Sequence, residues 1–154
     1  MIVIFALLII ISTFLFMEFI AWSVHKYIMH GFLWSLHKDH HQVNKDNILQ
    51  KNDYFFLIFA VPSFLLILNG STSLHYSFYI GIGIALYGFA YFVIHEIIIH
   101  QRIKLFSNIN NKYIKAIRMA HKVHHKNLNK DGCSSFGMLI VSIKYGEVQI
   151  KKKL

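Results

Sequence analysis

Three long apolar runs, separated by polar stretches, set the architecture of this chain. The first covers residues 2–22 and is interrupted only by Ser12, Thr13 and Glu18. At about 1.5 Å per residue, a helix of that length crosses the roughly 30 Å hydrocarbon layer of a bilayer. The second, residues 54–68, is short for a span and carries Pro62, and the third covers residues 78–94. The first run lacks a basic segment before it and a small-residue cleavage site after it, so it is expected to remain as a span rather than act as a cleaved signal. The apolar stretch 136–143 is too short to cross a membrane and is expected to lie against the bundle or at the interface. The pattern predicts an all-α integral membrane protein formed as a single domain over residues 1–154. Its spans run near 2–22, 54–69 and 78–95.

Composition agrees: 55% of residues are hydrophobic and 15% charged. One proline and one cysteine argue against a disordered chain and a disulfide scaffold. The formal charge of +9 would by itself fit nucleic acid, but its placement points elsewhere. All sixteen lysines and arginines lie within 26–51 or from Arg102 onward, and the connection 69–77 has none. Under the positive-inside rule both basic regions are cytoplasmic. Three spans satisfy this map, whereas a fourth would contradict it. The basic face would attract anionic lipid and an acidic protein partner, or would serve only to set topology.

Ten of the eleven histidines fall into two copies of one pattern. H-K-Y-I-M-H (His25, His30) precedes H-K-D-H-H (His37, His40, His41); H-E-I-I-I-H (His95, His100) precedes H-K-V-H-H (His121, His124, His125). Each pair continues a span as it leaves the bilayer, so all ten are expected in a cytoplasmic helical cap. Residues at i, i+3 and i+4 share a helix face, so each H-x-x-H-H aims three imidazoles one way. Ile114, Ile117, His121, His124 and His125 form such a stripe, opposite Lys115, Arg118, Lys122 and Lys126, with Asn110 or Asn111 placed to cap the helix. Leu33, His37, His40 and His41 repeat it. Five residues on an α-helix turn about 140°, so the rings of each H-x4-H pair diverge. Either each pair divides between two metals, or the helix unwinds locally.

Ten imidazoles are too many for one ion, and two ions in a shared cage is the economical reading. About five nitrogen ligands each, without thiolate, suit iron or copper better than zinc. Carboxylates could accept the outer ring N–H groups; Glu18, Asp39, Glu96 and Asp131 are the candidates. Glu18 lies seven residues before His25, on the same helical face. His75 is expected to be no ligand, and Cys133 a small buried residue. Gly81, Ala85 and Gly88 form a small-residue stripe expected to pack against another helix, with a groove for an apolar chain as the alternative. Lys151 to Lys153 are expected to be a solvated tail.

With these motifs in hand, the chain resembles the bacterial β-carotene hydroxylases of the fatty acid hydroxylase superfamily over nearly its whole length. The resemblance rests on M-E-F-I-A (residues 17–21), H-K-Y-I-M-H-G, H-K-D-H-H, N-D-Y (52–54), Y-G-F-A-Y-F-V-I-H (87–95), H-Q-R (100–102), M-A-H-K-V-H-H (119–125) and G-C-S-S-F-G (132–137). Glu96 departs from the aspartate expected in most relatives. The resemblance implies a non-haem di-iron monooxygenase of the bacterial inner membrane, with all ten motif histidines as ligands. Its substrate would be a carotenoid β-ionone ring, hydroxylated at carbon 3. Its co-substrate would be O2, and its electrons would come from a ferredoxin-type donor. Two rivals fit the histidines: a membrane lipid or sterol hydroxylase or desaturase, and a metal transporter or sensor. The transporter needs polar ligands within the spans, and these cluster outside them.

Overall fold

The structure is a computed structural model that describes residues 2–42, 49–106 and 108–146. The three closing lysines lie outside the described residues. Among those residues every regular element is helical: α1 (Ile2–Ser23), α2 (Trp34–His41), α3 (Phe55–Gly70), α4 (Tyr76–Phe92) and α5 (Lys112–His125). Two of them run on into π-helical segments, α1 into Val24–Phe32 and α4 into Val93–Ile99, and a 3-10 turn (Lys51–Tyr54) leads into α3.

Three helical stretches are long and apolar enough to cross a bilayer: Ile2–Phe32, Lys51–Gly70 and Tyr76–Ile99. They contain the three expected spans. Their outward faces are apolar; Phe5, Leu8, Ile11 and Leu15 on α1 and Phe56, Phe64 and Leu65 on α3 are all more than half exposed. A soluble protein rarely leaves so continuous an apolar surface against water, whereas a lipid-facing surface requires it.

Helix α4 sits between the other two, and glycine makes this possible. A Cβ on Gly81 would fall 2.7 Å from Ile67 Cγ1 and 2.8 Å from the Ser63 carbonyl, both on α3. A Cβ on Gly83 would fall 2.7 Å from Thr13 Cβ and 2.9 Å from the Ile10 carbonyl on α1. Close backbone approach of this kind is how helices associate where lipid removes the hydrophobic drive between them. The expected stripe therefore needs correction. Gly81 packs as anticipated, but Ala85 is exposed and Gly88 faces open space. The second packing contact is made by Gly83.

Helix α5 is amphipathic, and its start is capped by Asn111, whose Oδ1 accepts from the N–H groups of Tyr113 (2.8 Å) and Ile114 (3.2 Å). Its inner face carries Ala116, Ile117, Ala120, His121 and His124, all buried. One charge of its outer stripe is not left to water. Arg118 donates to the carbonyls of Ile98 (2.9 Å) and Phe106 (2.7 Å), tying α5 to the end of the second π-helical segment. The stretch 136–143 forms no span; Met138 to Ile140 lies against α1, where Glu18 accepts from its backbone N–H groups, and Val141 packs against the α5 face of Ala116 and Ala120.

Candidate metal centre

The ten motif histidines meet at one end of the helices, and the two π-helical segments are the reason. In a π-helix the i→i+5 hydrogen bond widens the turn, bringing residues five apart nearly into line. The His100 N–H donates to the His95 carbonyl (2.9 Å) in this register, and the Leu33 N–H donates to the Ile28 carbonyl (3.0 Å). The His25 and His30 rings consequently lie 5.3 Å apart, and those of His95 and His100 4.5 Å apart. Of the two outcomes left open for the H-x4-H pairs, local unwinding is the one adopted.

Nine histidines form two groups able to hold a metal ion, the ligand atoms of each group lying within 4.8 Å of one another. The first comprises His25, His30, His37, His41 and His124; the second, His40, His95, His100 and His121. Each H-x-x-H-H is therefore divided. His37 and His41, one turn apart on α2, join the first group, and His40 between them joins the second. On α5 the assignment reverses, His124 crossing to the first group. A pseudo-two-fold exchange relates the halves, pairing His25 and His30 with His95 and His100, and His37 with His121. Under it His125 is the counterpart of His41. The His125 ring stacks on His41 at 4.4 Å and lies 4.4 Å from His121 and 4.7 Å from His40. Its Nε2 is buried without a hydrogen-bond partner among the described residues.

The outer nitrogens explain why the inner ones converge. In the first group Nδ1 donates from His25 to the Phe136 carbonyl (3.0 Å), from His30 to Lys130 (3.0 Å), from His41 to Asn127 (3.0 Å) and from His124 to Ser134 (2.8 Å). His37 Nδ1 donates to Asn52 Oδ1 at 2.6 Å. In the second group His40 Nδ1 donates to Gln50 Oε1 (2.9 Å) and His95 Nδ1 to Glu96 Oε1 (2.5 Å). A neutral imidazole with its proton on Nδ1 presents a bare lone pair at Nε2. Yet the Nε2 atoms of His30 and His124, of His25 and His37, of His37 and His41, and of His40 and His95 face each other at 3.2 Å. With both outer protons committed to oxygen, no proton is left between these atoms. Lone pairs opposed at that distance repel unless a cation stands among them. Metal–nitrogen bonds of about 2.1 Å set nitrogens about 3.0 Å apart at right angles and about 3.4 Å apart in a tetrahedron, so the spacing fits an ion.

Burial keeps the rings beyond the membrane-length helices neutral. Desolvation is the first cause throughout, with neighbouring imidazoles adding to it. His41 is lowered to about 4, His100 and His124 to about 3, and His37 to about 2. His40, His121 and His125 are also lowered. Near neutral pH these seven offer an unprotonated nitrogen, the form that binds metal.

Of the four carboxylates proposed to steady the ligands, Glu96 alone accepts from a ring N–H among the described residues. Its second oxygen lies 2.7 Å from Arg102 Nε. Arg102 also reaches Asp53 (3.2 Å) and donates to Gln50 Oε1 (2.8 Å), fixing the acceptor that His40 uses. Glu18 instead accepts from Tyr87 Oη and three backbone amides. Asp39 accepts from the Lys51 N–H. Asp131 contributes its backbone carbonyl, to Asn127. The sequence reading missed Gln50, Asn52 and the loop carbonyls. N-D-Y and H-Q-R, quoted as motif words, contain Asn52, Asp53 and Arg102 and were the available signal; a backbone carbonyl leaves none. His75 lies away from both groups, beside Tyr76 and Ser77. Cys133 is half-buried, and burial raises its thiol pKa, helped by Asp131.

Known proteins resemble this chain in sequence. The fatty acid hydroxylase family matches residues 10–144. A beta-carotene hydroxylase of Pantoea ananas is 42% identical over 132 residues, covering 86% of this chain and 75% of that protein. One from a Paracoccus species is 39% identical over 133 residues (86% and 82%), and one from Pseudescherichia vulneris 36% identical over 132 (86% and 74%). No solved structure matches. Three membrane-length helices, two buried histidine groups and a match over most of its length place the chain in one family: it belongs to the fatty acid hydroxylases.

Proposed function

We propose that this protein is a β-carotene 3-hydroxylase of a bacterial inner membrane, carrying β-carotene through β-cryptoxanthin to zeaxanthin. The observation that carries the reading is the pair of buried histidine groups at the end of apolar helices, in a chain whose relatives bear that activity in their names. The whole chain acts as one hydroxylase domain. All ten motif histidines serve as ligands through Nε2, His125 completing the second group as its symmetry with His41 requires. Neutral nitrogen donors without thiolate suit iron. A pair of iron ions, when bound, supplies the activation of O2 that inserts one oxygen atom into a C–H bond, the other leaving as water with two electrons and two protons from an external donor.

The chain's own residues supply the rest. Nδ1 bonds to oxygen hold seven of the ten rings (His25, His30, His37, His40, His41, His95 and His124) in one tautomer and orientation. Phe136 packs against His25, His30 and His124, and Trp34 against His30, His37 and His41, sheltering the first group from water. An apolar carotenoid approaches from the bilayer along the exposed helix faces. Lys38, Lys51, Arg102, Lys104 and the lysines of α5 surround the histidine end; the positive-inside rule makes that side cytoplasmic. Their charge favours an acidic, ferredoxin-type electron donor.

Expression in a host that accumulates β-carotene, followed by pigment chromatography, tests the reading. Zeaxanthin is expected with the intact chain and is expected to vanish with His124→Ala. Unchanged pigment beside folded, iron-loaded protein would overturn it in favour of a lipid or sterol substrate.

A further inference from the structure

Glu18 is a buried carboxylate in an apolar helix, and its hydrogen bonds run to an unexpected place. One oxygen, Oε1, accepts from three consecutive backbone N–H groups, those of Met138 (2.9 Å), Leu139 (2.8 Å) and Ile140 (3.0 Å). The other accepts from Tyr87 Oη on α4 at 2.7 Å. The segment is threaded closely around this group: a Cβ on Gly137 would sit 2.7 Å from the Ile140 carbonyl and 3.3 Å from Glu18 Oε1. Two to four residues before the cradle, the same segment provides the Phe136 and Ser134 carbonyls that hold His25 and His124. Two further bonds steady it, Ser135 Oγ with Tyr145 Oη (2.6 Å) and Tyr113 Oη to the Leu139 carbonyl. Among the described residues, Glu18 adds to the His25–Phe136 bond three further hydrogen bonds between the segment and the helix that carries His25.

We propose that Glu18 is a positioning residue for the first histidine group. By clamping the segment to α1 it sets the two carbonyls that keep His25 and His124 in the Nδ1–H tautomer with Nε2 turned inward. The proposal rests on the reading that both histidine groups bind metal. It separates the two groups, because the acceptors of the second, Gln50 and Glu96, owe nothing to this segment. A carboxylate accepting three amides is worth more than a neutral amide oxygen in the same place. Glu18→Gln therefore loosens the clamp without changing its shape.

The test uses the purified full chain in detergent with cobalt(II) as the probe, reading equivalents bound, the visible absorption spectrum and amide hydrogen exchange. Wild type is expected to bind two equivalents and to protect the amides of Met138, Leu139 and Ile140. Glu18→Gln is expected to speed exchange at those amides at least tenfold. It is also expected to weaken one cobalt equivalent by about 10- to 100-fold, leaving the spectrum of the other intact. Should Glu18→Gln fail to accumulate with wild-type helical circular dichroism, Gly137→Ala, whose Cβ would press on the Ile140 carbonyl and on Glu18 Oε1, is expected to give the same one-site loss. Two tight equivalents in the deciding variant, or equal weakening of both, overturns the proposal. A wild type that binds fewer than two equivalents overturns the metal reading itself and the proposal with it.

Discussion

Glu96→Gln isolates the second histidine group. One carboxylate oxygen accepts from His95 Nδ1 at 2.5 Å, and the other forms an ion pair with Arg102 Nε at 2.7 Å. Glutamine keeps the shape but carries no charge and a single acceptor end, so the ion pair with Arg102 is lost. Arg102 retains Asp53 at 3.2 Å and Gln50 at 2.8 Å, so the amide oxygen is expected to turn towards His95. The surviving bond is neutral. Bonds to charged groups contribute about 1.5–3 kcal/mol and neutral ones about 0.5–1.5 kcal/mol, so about 1–1.5 kcal/mol of support for the ring is lost. That corresponds to roughly a tenfold weaker metal affinity in the second group, within the range for lost ligand-orienting partners. The first group, steadied by Asn52 and loop carbonyls, should keep its affinity. Anaerobic metal titration against a competing chelator, fitted to two sites, measures both constants. A change under about twofold in the second site, or equal weakening of both sites, would refute the claim that Glu96 acts through His95 alone.

Three further outcomes follow from the same geometry. The metal-free protein should lose stability on acidification below about pH 6.5. His37, His41 and His124 have folded-state pKa values depressed to about 2, 4 and 3, so between those values and the unfolded value the unfolded chain binds more protons and stability falls as pH falls. The slope is about 1.4 kcal/mol per pH unit for each fully responding ring, and a thermal-denaturation midpoint independent of pH between 6.5 and 5 would contradict it. Gly83→Ala should destabilise the bundle by about 1–3 kcal/mol by forcing α4 away from α1, while Gly88→Ala, whose Cβ meets nothing within 4 Å, should be near neutral; equal losses on detergent unfolding would refute the packing assignment. Asn111→Ala should cost about 1 kcal/mol by leaving the N–H groups of Tyr113 and Ile114 without their cap, measurable as faster amide exchange in the first turn of α5.

The apolar runs alone determine that three helices reach bilayer length, because the backbone cannot cross hydrocarbon unless its hydrogen bonds are satisfied within the segment. The histidine spacing likewise makes the α5 stripe legible, and Asn111 marks its start, since both depend on local helical geometry. Local geometry also explains where reading stops. An α-helix places His25 away from His30 and His95 away from His100, and only the π register of the folded helices turns each pair to one side. Likewise, i, i+3 and i+4 spacing puts three rings on a face but does not say that His40 and His124 cross to the group opposite their neighbours. That depends on how α2 and α5 sit against each other. The acceptors that orient the rings were the least visible, because Phe136, Ser134, Lys130 and Asn127 act through carbonyls that every residue possesses. Glu18 shares a helical face with His25, whereas tertiary structure gives its oxygens to a segment some 120 residues away. What each residue can do is written in the chain; which partner it finds depends on the packing of distant segments, and so on the fold.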